Sequence, residues 1–318
     1  SFRHLFDNSV KNANPFESPT RATDLGDCLF MNFENKRPRS FDCHMHTPLC
    51  GHSFGEPEAF VDAAAEGGID LICFTCHIPM EVDGFGQEGT RMRLDQLPLY
   101  REKVAAAAAY GRERGVEVLC GIEAEIFPEE EPLEEMKAFL ERESFDFVLG
   151  SLHHMLPRFR EWLDRNGHHD DRAIVAAYFR TLAKAAATGR YDSLAHPDVI
   201  RIYGTLSEPF DPAAHEEPIR KALDAIAEAG VCLEINTSGR IKGDYIAHPD
   251  PLIMKWALER GIPFTIGSDS HTPERVGDGF REVLAEARSL GLPALHYFRE
   301  RRRHRLPFSP EMAGSGIA

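Results

Sequence analysis

No apolar stretch in this sequence approaches the roughly 20 residues that a membrane-spanning helix needs, and the residues it opens with carry no basic-then-apolar leader pattern. A cytoplasmic protein with no membrane partner is the expectation. Positive charge is scarce as well: 36 Lys and Arg stand against 51 Asp and Glu, a formal net charge of −15. A broad nucleic-acid surface needs clustered cations along a phosphate backbone, so no nucleic-acid partner is expected, although a local cationic pocket is compatible with the balance. The seven cysteines are odd in number and form no small secreted framework, which points to reduced thiols. Cys73-Phe74-Thr75-Cys76 has the spacing of a redox pair, but Asp70-Leu71-Ile72-Cys73-Phe74-Thr75 reads as a buried strand, and a redox pair belongs at a helix N-terminus. No Gly-x-Gly-x-x-Gly directly follows a strand-like run, and nothing repeats.

What the sequence does hold is regular alternation. Its 318 residues, 42% hydrophobic and 27% charged, suffice for one large α/β domain or two ordinary ones. Residues 1–38 show no sustained period and read as an N-terminal extension. Short apolar runs then fall at about 40–44, 69–75, 116–122, 145–150, 191–195, 231–235 and 263–267. Helical patterns lie between most of them, among them Glu56–Glu66, Leu99–Arg114, Leu133–Glu141, Ala173–Thr188, Pro218–Ala229 and Leu252–Arg260. Seven parallel β/α units predict a barrel over 39–308, with 309–318 as a C-terminal tail.

In such a barrel the chemistry sits at the C-terminal strand ends, where the loops converge on one mouth. The first run ends in His44-Met45-His46, whose two imidazoles point to one side of an extended backbone, with His52 on the turn beyond. The second ends in Thr75-Cys76-His77, the third in Glu123-Ala124-Glu125, the fourth in Gly150-Ser151-Leu152-His153-His154. The fifth ends in His196-Pro197-Asp198 and the seventh in Ser268-Asp269-Ser270-His271. Scattered core histidines would not choose strand ends six times in seven, so a metal cluster is expected; imidazole and carboxylate together suit zinc, manganese or iron. The sixth run supplies Glu234 and Asn236 on one face, expected to hydrogen-bond the ligands rather than to bind metal.

The segments HMHTPLCGH (44–52), FTCHIP (74–79), MRLDQLPLY (92–100), GIEAEIFP (121–128), DFVLGSLHH (146–154), LAHPDVI (194–200), LEINTSGR (233–240) and TIGSDSHTPERVGDGF (265–280) resemble the PHP (polymerase and histidinol phosphatase) family of metal-dependent phosphoesterases. The CGH turn, the MRLDQLP segment, the INTSGR strand and the SDSHTPERVG ending are similar to its histidinol-phosphatase branch. The resemblance runs from about Asp42 to about Pro307 and implies a distorted seven-stranded (β/α)7 TIM-like barrel with two or three divalent ions. By motif, His44, His46, Glu123 and Asp269 would hold a first ion. Glu123 would bridge to a second, held also by His153 and His196, and His52, His77 and His271 would hold a third. Glu123, Asp269 and His196 are the implied catalytic groups. His153 is preferred to His154 on the Gly-Ser-x-His spacing. The family usually has Asp before the second-strand histidine; here it is Cys76, a departure that bears on the third ion.

The chemistry implied is hydrolysis of a phosphomonoester, L-histidinol phosphate above all, by in-line attack of a metal-bound hydroxide. A nuclease or a nucleotide phosphatase of the same family is the alternative. Guanidinium groups match phosphate geometry, and Arg158, Arg160, Arg201, Arg240 and Arg275 follow ligand-bearing runs, with Arg160, Arg201, Arg240 and Arg275 the candidates for phosphate. The loop 81–98, carrying Arg91 and Arg93, suits a lid. His4, His168, His169, His215, His248, His296 and His304 read as surface residues, and the basic run 299–305 as an exposed terminal strand with solvated arginines. The oligomeric state is not legible.

Overall fold

The computed structural model describes residues 36–80, 90–239 and 247–308. The expected extension lies almost entirely outside them, as does the tail.

The first three runs become Phe41–Met45 (β1), Leu71–Phe74 (β2) and the pair Glu117–Cys120 (β3) and Ile122–Glu125 (β4). The remaining four are Val148–Ser151 (β5), Ser193–Leu194 (β6), Cys232–Asn236 (β7) and Phe264–Gly267 (β8). Most of these strands are buried along their whole length, as expected of parallel strands covered by helices. Among the described residues the α-helices are Pro57–Glu66 (α1), Leu97–Arg112 (α2), Glu130–Arg142 (α3), Pro157–Arg165 (α4), Asp171–Ala187 (α5), Glu216–Ala229 (α6), Pro251–Glu259 (α7) and Phe280–Ser289 (α8). Local chemistry sets their starts. Proline opens α1, α4 and α7, where no backbone donor is needed, and Asp170 and Asp250 cap α5 and α7 by accepting from Ala173 N and Leu252 N.

Regular pairing divides the strands into two sheets, β1-β2-β3 and β10-β9-β8-β7-β6-β5-β4. Two seams join them into a distorted TIM-like barrel. At one, β3 runs straight into β4 through Gly121, so a single bent strand pairs first with β2 and then with β5. A Cβ at Gly121 would lie 2.8 Å from Cys73 Sγ and 2.8 Å from the Phe147 oxygen, so only glycine fits the bend. Beyond it, Ile78 N donates to Glu123 O at 2.9 Å. At the other seam Met45 bridges to Ser270 in parallel, and His46 N donates to Ser270 O at 2.9 Å. Asp42 fastens the same seam by accepting from Ser268 N (2.9 Å), Gly277 N (3.0 Å) and His44 N (3.2 Å).

The C-terminal hairpin, Ala294–Arg299 (β9) and Arg302–Pro307 (β10), is antiparallel. It crosses the end of the barrel opposite the mouth. Tyr297 meets Phe41, Phe298 stacks on Phe147 at 5.1 Å, and Arg303 Nη1 donates to Gly230 O at 2.8 Å. The basic run is therefore not simply solvated. Arg299 pairs with Glu117 at the start of β3, and Arg301 with Asp192 just before β6, because the strand starts expose carboxylates that need cations. Arg302, Arg303 and Arg305 do remain exposed.

Candidate metal centre

At the mouth, Glu123 is 1% exposed and faces imidazoles on several sides. His77 Nδ1 lies 2.6 Å from Oε2, and His196 Nε2, His153 Nε2 and His44 Nε2 lie 3.4, 3.5 and 3.6 Å from Oε1. Asp269 Oδ1 sits 3.2 Å from His46 Nε2 and 3.5 Å from His44 Nε2. Donor atoms fall within 4.8 Å of one another in the groups His44-His46-Asp269, His46-His77-Glu123, Glu123-His153-His196 and His52-His77-His271. His44 Nε2, His46 Nε2 and His271 Nε2 are buried without a hydrogen-bond partner, and His77 Nδ1 and Glu123 Oε2, though 2.6 Å apart, are not aligned for one. Buried polar atoms are rarely left so, and unpaired nitrogen and oxygen lone pairs converging at these separations fit divalent cations between them. Two of the residues, His196 (φ 26°) and Asp269 (φ 55°), hold left-handed backbone that non-glycine residues avoid, strain of the kind that collects at functional sites.

The neighbouring groups orient this set. Glu234 accepts from His44 Nδ1 at 2.7 Å and from His196 N at 2.9 Å. Glu125 accepts from His153 Nδ1 at 2.7 Å and receives Arg91 Nη2 at 2.8 Å. Gly267 is what lets β8 pass here, since a Cβ would run into both His44 and the Glu234 carboxylate. Burial by itself pushes the Glu123 carboxyl up, but the imidazoles of His77, His153 and His44 outweigh it and hold it well below the usual carboxylate range. Burial depresses His271 to about 3, helped by His46, so the ring stays neutral and able to ligate.

A cavity of about 390 Å³ opens over these groups, lined also by Arg91, Met155, Leu156, Val199, Tyr203 and Arg275. The expected arginines fare differently. Arg275 lines the cavity and pairs with Asp278 at 3.0 Å. Arg201 does not line it: its guanidinium is buried against Asp198 at 3.0 Å, because that carboxylate is the stronger local attraction. Arg160 is exposed, reaching the Tyr203 oxygen and Thr205 at 3.4 Å, and Arg158 pairs with Glu129. Arg240 lies outside the described residues, as do 81–89 of the expected lid. Arg91, buried beside Glu125, is a cavity cation missed as a phosphate candidate; only its place in the lid loop hinted at it.

His154 turns away from the cluster, with Nε2 donating to Val199 O at 3.1 Å and Nδ1 on the Thr205 hydroxyl at 2.6 Å. His248 corrects the surface reading: it is 0% exposed, with Nδ1 2.6 Å from Asp198 Oδ1. Its polar flank Ala247-His248-Pro249-Asp250 concealed this, since the backbone of His248 pairs with Asn236 of β7 and is drawn inward.

The family model described as PHP domain matches residues 42–238, and that described as PHP-associated matches 251–293. A probable histidinol-phosphatase of Deinococcus radiodurans is 35% identical over 257 residues, 79% of this chain and 93% of its own length. A probable histidinol-phosphatase of Clostridium acetobutylicum is 27% identical over 261 residues, 81% of this chain and 96% of its own. Among solved structures, the histidinol phosphate phosphatase of Lactococcus lactis subsp. lactis, in complex with zinc, L-histidinol and phosphate, matches in fold with a TM-score of 0.67. That match has 22% identity and covers 83% of this chain and 98% of the other.

Proposed function

This chain belongs to the PHP domain family, and from that premise we propose that it is a metal-dependent phosphomonoesterase that hydrolyses L-histidinol phosphate to L-histidinol and phosphate. The observation that carries the reading is the set of buried, unpartnered donors around Glu123 at the floor of a cavity whose wall carries Arg91 and Arg275.

His44, His46, Glu123 and Asp269 would hold one divalent ion, Glu123, His153 and His196 a second, and His52, His77 and His271 a third, of the zinc, manganese or iron class. Such ions, when bound, acidify a water and neutralise charge developing on a phosphoryl group. The chain's own groups do the rest. Glu123 holds its charge despite burial and so would offset the repulsion between two ions bound on either side of it. Glu234 and Glu125 fix the tautomers of His44 and His153. Arg91 and Arg275 give the phosphate oxygens cationic partners at the cavity wall. Met155, Leu156 and Val199 form an apolar side against which the organic half packs, and Tyr203 offers an aromatic face at the rim for a flat ring. The substrate is a small phosphorylated metabolite, and a cytoplasmic setting is part of the reading; among the described residues no helix is long and apolar enough to cross a membrane.

Elemental analysis of gently purified protein, with phosphate release measured across metabolites and single-stranded oligonucleotides, tests this. Bound metal and clear preference for histidinol phosphate are expected. Preference for an oligonucleotide would replace the reading with that of a nuclease.

A further inference from the structure

A metal-ligating imidazole needs an acceptor for the ring nitrogen turned away from the metal, which fixes tautomer and orientation. Four rings of the cluster have an oxygen there. Glu234 serves His44 at 2.7 Å, Glu125 serves His153 at 2.7 Å, the Asp269 carbonyl serves His271 at 2.9 Å and the Cys50 carbonyl serves His52 at 3.1 Å. His46 departs from the pattern, as does His196, whose Nδ1 is likewise buried without a partner. In His46, Nε2 faces Asp269 and Glu123, so Nδ1 is the atom turned away, and it is buried with no nitrogen or oxygen partner.

The side chain within hydrogen-bond reach of the ring besides Asp269 is that of Cys76. Thr75 N donates to Met45 O at 2.9 Å, which carries the end of β2 alongside the end of β1 and sets Cys76 beside His46. Cys76 is 0% exposed, and its sulfur receives the Thr47 hydroxyl at 3.4 Å. The Cys50 thiol is in contact with it and itself lies within 4.8 Å of a His46 ring nitrogen. We propose that the Cys76 sulfur is the acceptor that orients His46, a positioning residue that does for this ring what Glu234 does for His44. The inference rests on the metal-centre reading above. It also moves the consequence of this cysteine from the third ion, where the sequence put it, to the first.

Two roles for Cys76 predict opposite rankings. If the sulfur merely fills space, Cys76→Ser, the nearest in size, should outperform Cys76→Asp, which buries a larger charged group. If it accepts from His46, Cys76→Asp should outperform Cys76→Ser, because a carboxylate is the acceptor already used by His44 and His153. The test compares zinc retention by the full chain against a chromophoric chelator, and the visible spectrum of the cobalt(II)-substituted protein, for wild type, Cys76→Asp, Cys76→Ser and Cys76→Ala. Cys73→Ala, in β2 just before Cys76 and away from the cluster, controls for a cavity in the core. Loss of an acceptor of this kind typically weakens metal binding about 10–100-fold; that loss is expected for one ion in Cys76→Ala, with a changed cobalt spectrum, and recovery in Cys76→Asp. Should Cys76→Ala not fold, the ranking of Asp above Ser still supports the proposal and the reverse ranking overturns it. Unchanged retention in a folded Cys76→Ala also overturns it. Wild-type protein without bound metal would overturn both this and the reading beneath it, so wild-type metal content tells the two failures apart.

Discussion

Glu123 is the residue on which the most groups of the site depend, since imidazoles from β1, from the segments after β2 and β5, and from the segment after β6 all face its carboxylate. Glu123→Gln keeps the shape and removes the charge. We expect a folded protein by circular dichroism that has lost metal and nearly all phosphate release; full metal content with normal turnover would remove Glu123 from the centre. Glu125→Gln acts one step further out, through His153, and should weaken metal binding by about 10–100-fold with a smaller loss of rate at saturating metal. His154 gives a pH prediction. Burial depresses it from 6.5 to about 3, and its two hydrogen bonds suit the neutral ring. The unfolded chain therefore takes up a proton below about pH 6.5 that the folded chain refuses. Its contribution to stability is present above that pH and lost as the pH falls toward 3. His154→Gln should flatten this acid limb in urea titrations run at a series of pH values, whereas parallel limbs would show that His154 is not the group responsible.

At the scale of elements, the strand that matters most for the site is β8, which passes His44 and Glu234 with only a glycine between. Gly267→Ala should cost about 1–3 kcal/mol of stability by overpacking and should loosen the His44–Glu234 pair, read as a lower denaturant midpoint together with reduced metal content. The hairpin of β9 and β10 makes the contrasting case. Arg299→Ala removes a half-buried partner of Glu117 at the far end of the barrel and should cost about 1–2 kcal/mol, between the values for exposed and buried pairs. Metal content and turnover should not change; a fall in turnover would mean that the two ends communicate. These elements also show what the sequence could tell. The seven runs were legible because both faces of most strands are buried, which writes an apolar run, and the strand-end histidines were legible because six of the seven runs stop at a polar ligand. The split at Gly121 was not, since a run of apolar residues carries no mark of which neighbour each half will pair with. His248 was misread because its partner, Asp198, lies 50 residues earlier in the chain, where no local pattern marks it, and Arg201 because the same carboxylate, three residues before it, draws its guanidinium inward.

For the whole molecule, the centre and the fold stabilise one another. Donors left facing each other without cations should repel or lie unpaired, so chelation is expected to lower Tm and added zinc or manganese to restore it in a concentration-dependent way, by about 2.7 kcal/mol at a metal concentration 100 times Kd. A Tm indifferent to both would separate the cluster from stability. The seam between Met45 and Ser270 carries a further consequence, in time rather than in space. A ribosome adds about 5–20 residues each second, so the 225 residues from Met45 to Ser270 take roughly 10–45 seconds to arrive. Throughout that interval β1 has one edge without its final neighbour, and His44 and His46 are in place before Glu234, Asp269 and His271 exist. The nascent chain thus spends tens of seconds as an open sheet carrying half a metal site, and that is when a stray strand or the wrong ion has its best opportunity to bind.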